Sequence, residues 1–178
     1  MAKRKERLKY IKQTDDGSFA YHGSHYRIVQ SGSGEDQADT QKVLTGLVAA
    51  ALAAGVFVIA SGFIDAAGAN KAFYVILPFL GEVICMFVIW WELVKLVYGK
   101  GKLREPEYKS LKSRLTGAPK LLAAFSLVGL AASAVYISRY GLGDSAVKTI
   151  AYPVLKGLAG GAALMLAKIF AASEWIKE

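Results

Sequence analysis

Cysteine is nearly absent. The 178-residue chain has one, Cys85, and it falls inside a long apolar run. An intrachain disulfide is thereby excluded, and so is thiol–disulfide exchange within one chain, which needs a pair. Cys85 reads as a packing residue. Histidine is scarce too, with His22 and His25 flanking a turn-prone Gly-Ser. Two histidines in a turn without neighbouring cysteines read as solvated polar residues, not as a metal centre. The sequence also lacks a nucleotide-binding glycine loop, metal-ligand spacing and a nucleophile–base constellation. Neither a cofactor nor a metal is expected.

What the chain has is apolar length. Four stretches, about 43–64, 72–97, 121–140 and 146–172, are each long enough for the roughly 30 Å core of a bilayer at about 1.5 Å rise per residue. The expected fold is an all-α membrane protein, a four-transmembrane-helix bundle (residues 42–178) behind a short cytosolic tail (residues 1–41) that contains a β-hairpin. Spans and connections use most of the length, which leaves no room for a second, enzymatic domain.

The net charge of +8 comes from the flanks of the spans. Such a balance is often a nucleic-acid signature, but the positive-inside bias of membrane proteins produces it equally. Residues 1–42 carry eight Lys and Arg, and the connection between the second and third spans carries eight more. The opposite loops carry only Lys71, Arg139 and Lys148. Sixteen against three predicts a multi-pass protein of the cell membrane with both termini and the central loop in the cytosol, and no nucleic-acid partner. The basic start runs into polar sequence, so the first span, not a cleaved signal peptide, is expected to direct insertion.

Within the tail, Met1–Gln13 is polybasic and suits anionic headgroups, at about 1 kcal/mol per basic residue near the surface. Phe19–Val29 alternates between turn-prone Asp15-Asp16-Gly17 and His22-Gly23-Ser24, which predicts the hairpin; Ser31–Gln41 reads as a flexible linker. A lone hairpin is barely stable in water and needs support from the membrane face or a partner.

In the central loop, Pro106 suits a first helical turn, Gly117 a C-terminal cap and Pro119 a stop. Tyr108, Leu111 and Leu115 then share one face, with Lys109, Lys112 and Arg114 elsewhere. The pattern predicts a short amphipathic helix over about 106–116, lying in the cytosolic interface.

Small residues recur at four-residue spacing: Gly46, Ala50 and Ala54 in the first span, Gly129 and Ser133 in the third, Gly157 and Gly161 in the fourth. Such spacing lets helix backbones approach closely in lipid, within a chain or between copies. There is also a faint repeat. A shift of 74 residues lays Leu47–Gly55 on Leu121–Gly129 and Glu82 on Lys156, as two parallel hairpins would.

Glu82 and Lys156 are the strongest chemical feature. Each lies about ten residues from the outer end of its span, hence at similar depth near the bilayer middle. An ionisable group there costs at least about 2.5–3.5 kcal/mol, so it faces the bundle interior and finds a partner. Pro78 and Pro153 stand one turn before them, each expected to kink its span and to free a carbonyl near the charged group. The pair can lock two helices together, or it can carry a proton or cation in a small transporter or channel. Glu92, Lys95 and Lys168 near the cytosolic boundary suit a lipid headgroup, but no second carboxylate or histidine cluster accompanies them, so an enzyme is not expected. The favoured expectation is an accessory or interaction subunit of a membrane assembly, partnered by the bilayer and by another membrane protein or further copies of itself.

The charge asymmetry yields a direct test. In intact cells, cysteines placed at Ser31 and Ser110 should be shielded from an impermeant thiol reagent, whereas one at Ala69 should react. Labelling of Ser110→Cys from outside overturns the arrangement.

Overall fold

The computed structural model describes residues 11–13, 19–21, 23–30, 37–64, 72–141 and 146–177. Met1–Tyr10 of the polybasic start, the Asp15-Asp16-Gly17 turn, His22, Ser31–Asp36, Ala69 and Lys71 lie outside the described residues. Four helices dominate: α1 (Gln37–Phe63), α2 (Phe73–Tyr98), α3 (Glu105–Tyr140) and α4 (Ala146–Ala171). All four are long and apolar enough to cross a membrane. They form a ring in which α1 packs on α2 and α4, and α3 packs on the same two neighbours. That order leaves α2 and α4 facing each other across the centre.

The helices bury small and branched residues and turn large ones outward. Leu47, Ala51, Ala54 and Val58 of α1 meet Met86, Ile89 and Leu93 of α2, with Leu122 of α3 and Ala159, Ala163 and Leu166 of α4 in the same core. Leu52, Val56 and Ile59 on α1, Leu80, Ile84, Phe87 and Trp91 on α2, Leu127 and Val128 on α3, and Val154, Leu164 and Met165 on α4 are exposed. In water such a belt far exceeds the apolar patches that soluble monomers carry.

One end of the bundle is closed by strands. Short strands β1 (Ile11–Gln13) and β2 (Phe19–Tyr21) pair antiparallel. Strand β3 (His25–Gln30) lies between β4 (Lys102–Arg104) and β5 (Ser173–Lys177) in a three-stranded antiparallel sheet. Tyr26 is opposite Leu103 and Lys177, and Ile28 is opposite Trp175. The Phe19–Val29 hairpin expected from the sequence is therefore not formed: β2 pairs backward with β1, and β3 takes partners from the α2–α3 connection and from the segment after α4. The physical reason is support. As the middle strand, β3 has both edges paired, and its Ile28 and Val29 are buried, which a free two-stranded hairpin cannot achieve.

The turn from α2 into β4 depends on a glycine. Gly101 has φ +80° and donates its N–H to the Leu96 carbonyl while its own carbonyl accepts from Ile28 N–H at 3.0 Å. A Cβ there would be strained and would also run into Thr40.

Two further expectations need correction. Residues 37–41, read as linker, already belong to α1. The fourth span, expected over about 146–172, is helix Ala146–Ala171, and strand β5 follows it from Ser173. And the helix over 106–116 is not a separate interfacial element: Glu105–Tyr140 is one helix of 36 residues that runs through Gly117 and Pro119. At about 1.5 Å per residue it is about 54 Å long, well beyond a bilayer core, and its first turns overhang beside the sheet. Its apolar face is not offered to lipid. Leu111 and Leu115 are fully buried in the core, and Tyr108 stacks on Tyr26 of β3 at 4.3 Å between ring centroids and meets Trp175 of β5 at 4.8 Å. Of the basic residues beside it, Lys112 donates to the Tyr108 hydroxyl at 3.1 Å, Lys109 binds Glu105 at 2.7 Å, and Arg114 reaches Glu92 of α2.

If β3 is the centrepiece of this end, truncating its buried side chain should be felt across the bundle. Ile28→Ala should lower stability in detergent by about 2–5 kcal/mol, read as a fall in thermal unfolding midpoint, while Gln30→Ala on the exposed side should leave it within about 0.5 kcal/mol. Equal effects of the two would show that the sheet is not joined to the core.

Candidate functional site

Glu82 and Lys156 meet. The Lys156 ammonium donates to Glu82 Oε2, and neither side chain has any exposed surface. The bond crosses the ring from α2 to α4, the two helices that do not otherwise pack closely, so it runs through the centre of the bundle. Gly129 on α3 lies beside the lysine stem: an added Cβ there would stand in ordinary contact, 3.5–3.6 Å from Lys156 Cδ and Cε and 3.7 Å from Pro78. Two aromatic rings shield the ammonium, Phe79 of α2 at 4.8 Å and Tyr152 of α4 at 5.2 Å, and each gives the cation a π face in place of water. The same two rings line a cavity of about 250 Å³ that neither Glu82 nor Lys156 lines. Glu82 Oε1 and Ser126 Oγ are buried without a hydrogen-bond partner among the described residues.

Pro78 and Pro153 both lie inside their helices, which continue past them. The carbonyls they free are those of residues four earlier, Tyr74 and Thr149, two turns below Glu82 and Lys156. The expected free carbonyl beside each charge is therefore absent for a geometric reason, and the two charges satisfy each other instead.

The small residues take separate roles. Ala50 and Ala54 are buried in the α1 core, and Gly46 sits in ordinary contact with Ile169 of α4 at 3.7 Å. Ser133 is buried and bonds the Leu130 carbonyl. Gly157 is exposed with only Leu130 at 3.7 Å, and an added Cβ at Gly161 meets nothing within 4 Å, so that spacing marks no close contact inside the chain. Tight glycines outside those pairs include Gly160, whose added Cβ would press on Ser126 at 3.2 Å, and Gly81, whose added Cβ would press on Phe125 at 2.8 Å. They have no four-residue partner, and nothing in the sequence pattern distinguishes them.

A second buried carboxylate lies nearer the sheet end. Glu92 Oε1 accepts from Arg114 at 2.5 Å and from Lys95 at 3.0 Å, while Oε2 has no partner among the described residues. Of the Glu92, Lys95 and Lys168 set that was expected to suit a lipid headgroup, Glu92 and Lys95 meet, Lys168 is exposed on α4, and Arg114 on the overhanging part of α3 joins the carboxylate. Only the continuation of α3 through Pro119 sets Arg114 beside α2, and the sequence hides that continuity. Among the described residues no group of three or more His, Cys, Asp or Glu side chains is arranged to hold a metal ion.

An enclosed pair has a defined energetic signature. Removing either partner alone leaves a buried group uncompensated and should cost about 3–5 kcal/mol, whereas Glu82→Leu/Lys156→Leu should recover much of that loss. A double-mutant cycle by thermal unfolding in detergent measures it. Additive losses would show that the two charges do not depend on each other.

The chain's chemistry rests on this geometry alone, for no protein-family model, no curated protein and no solved structure matches it significantly.

Proposed function

We propose that the chain is a multi-pass protein of the cell membrane, with its termini and sheet end in the cytosol, that serves as an accessory or interaction subunit of a membrane assembly. Insertion is supported by the belt of large exposed apolar side chains around four helices of spanning length. Orientation is supported by the sixteen-to-three distribution of basic residues. In this frame Glu82–Lys156 is a lock on helix packing, and the protein acts through its surface rather than by turning over a substrate. The observation that carries the reading is the complete enclosure of the one charged pair in the middle of the described helices. A carrier site must meet water from one side or the other, whereas both side chains are fully buried and two aromatic rings flank the ammonium.

The competing reading is a proton- or cation-coupled transporter that uses Glu82, and one comparison separates the two. Wild type, Glu82→Gln and Glu82→Leu/Lys156→Leu are reconstituted in liposomes and assayed for proton and cation flux beside thermal stability. The lock predicts no flux in any of them and a stable double variant. Flux that disappears in a folded Glu82→Gln protein establishes the carrier instead. In mild detergent, the accessory reading further predicts a defined membrane protein co-purifying at fixed ratio with the wild type; a chain that purifies alone at every ratio tested counts against it.

A further inference from the structure

Two polar atoms in the middle of the bundle are left over once the central pair has formed. Glu82 Oε2 accepts from the Lys156 ammonium, but Glu82 Oε1 and Ser126 Oγ are both buried without a hydrogen-bond partner among the described residues. Ser126 is 1% exposed and Glu82 has no exposed surface. Serine in a buried helix ordinarily turns its hydroxyl back onto a carbonyl of its own preceding turn, as Ser61 does to Val58 and Ser133 to Leu130. Ser126 does not, and buried polar groups of this kind call for a partner.

Three glycine contacts place the leftover atoms at one level of the bundle. At Gly81, next to Glu82 on α2, an added Cβ would stand 2.8 Å from the ring of Phe125, the neighbour of Ser126 on α3. At Gly160, about one turn beyond Lys156 on α4, it would stand 3.2 Å from Ser126 Cβ and 3.9 Å from Ser126 Oγ. Gly129, about one turn beyond Ser126 on α3, lies beside the Lys156 stem. Ser126 therefore enters the interior between the two helices that carry the charges, within about one turn of both. Glycine at 129 and at 160 also keeps side-chain bulk away from the hydroxyl on two sides.

We propose that one water molecule is bound in the core beside the pair, donating to Glu82 Oε1 and accepting from the Ser126 hydroxyl. The chemistry of the two atoms selects the occupant. Oε1 of a carboxylate needs a donor, and the serine hydroxyl can give a proton, so the molecule between them must both donate and accept. Lys156 has donors beyond the one it gives Oε2, and one of these supplies the third contact that a buried water ordinarily makes. A cation would also suit the carboxylate oxygen, but Glu82 and Lys156 already cancel, and an added ion would leave a net charge in the middle of the bundle. Water adds none. It joins α3 to the contact between α2 and α4, so the inference rests on the lock reading and adds a third helix to it.

The experiment compares Ser126→Ala in the wild-type chain and in Glu82→Leu/Lys156→Leu, by thermal unfolding of the full chain in detergent. In the wild type the substitution takes a partner from the water and should lower the midpoint by several degrees. In the apolar background, where nothing is left to hold the water, it removes an orphaned hydroxyl and should raise the midpoint or leave it unchanged. Ser133→Ala, whose hydroxyl bonds its own helix, should shift the midpoint equally in both backgrounds. A wild-type chain that is unchanged or stabilised by Ser126→Ala, or an equal loss in the two backgrounds, overturns the water. So does a wild-type midpoint that falls when sodium chloride is replaced by choline chloride, which identifies a bound cation instead. Should the double background fail to fold, an experimental structure of the wild type at a resolution that shows waters decides: density about 2.6–3.2 Å from both Glu82 Oε1 and Ser126 Oγ is expected, and its absence or a direct bond between the two side chains overturns the site. The liposome flux assay keeps the two levels apart. Flux together with a coupled Ser126 overturns the lock and keeps the water, whereas an uncoupled Ser126 without flux overturns the water and keeps the lock.

Discussion

The contact between Glu82 and Lys156 is the constraint on which the arrangement of the four helices turns. Each charge sits in the apolar middle of its helix, and neither side chain reaches any surface. A carboxylate or ammonium in such a place is tolerable only when paired, and the partner lies on the helix diagonally opposite. Diagonal pairing is demanding: the lysine stem passes beside Gly129 of α3, and flanking rings that replace water are supplied by Phe79 and Tyr152. Rotating α2 or α4 by one residue turns its charge by about 100° and out of reach of the other. Helix rotation is therefore set by polar chemistry, because apolar packing between such helices discriminates weakly once lipid is as apolar as the core.

The sheet end acts as a second clamp of a different nature. Strands from three segments far apart in the chain converge there, and the aromatic cluster of Tyr26, Tyr108, Phe170 and Trp175 ties β3, α3, α4 and β5 together. Glu92 adds an electrostatic tie between α2 and the overhang of α3. α3 thus touches the Lys156 stem beside Gly129 and binds Glu92 through Arg114, two contacts well apart along its length. β3, the α2–β4 turn and β4 also bring Arg27, Lys100 and Lys102 to the end of the α1–α2 groove.

How much of this was legible follows from the range of the interactions. The four helices announce themselves through contiguous apolar length, and Glu82 with Lys156 through the sheer cost of a charge in such a run, so helix existence and the central pair are readable without coordinates. Equal depth in two antiparallel-connected hairpins was enough to match the partners. The sheet was not readable. β4 has three residues, β5 five, and their alternation is too short to stand out; only the positions of helix ends decide that they meet β3. Gly117 and Pro119 misled because stop signals describe local preference. Pro119 merely leaves the Leu115 carbonyl without its N–H, a loss that the burial of Leu111, Leu115 and Leu122 on one continuous face outweighs. Glycine spacing misled for the opposite reason, as the tight contacts at Gly81 and Gly160 depend on which side chain lies across the interface.

The same geometry bears on why an ion pair is present at all. Replacing a buried pair by apolar residues of similar size is often neutral or stabilising, so stability alone does not account for Glu82 and Lys156. A carrier would account for them, but each transport cycle would have to separate the pair and hydrate one member. Breaking a buried pair costs about 3–5 kcal/mol, which holds the separated state to roughly one part in 10²–10⁴ unless a bound ion or proton compensates. The rings of Phe79 and Tyr152 add to that barrier, since the ammonium would forfeit both π faces on leaving. Specificity accounts for the pair without any cycle: in a bundle of interchangeable Leu, Val and Ala faces, one charged contact across the diagonal penalises every rotated or shifted packing by an unpaired charge. The accessory role proposed above, with fixed outer faces presented to lipid and partner, would call for that uniqueness more than for extra stability.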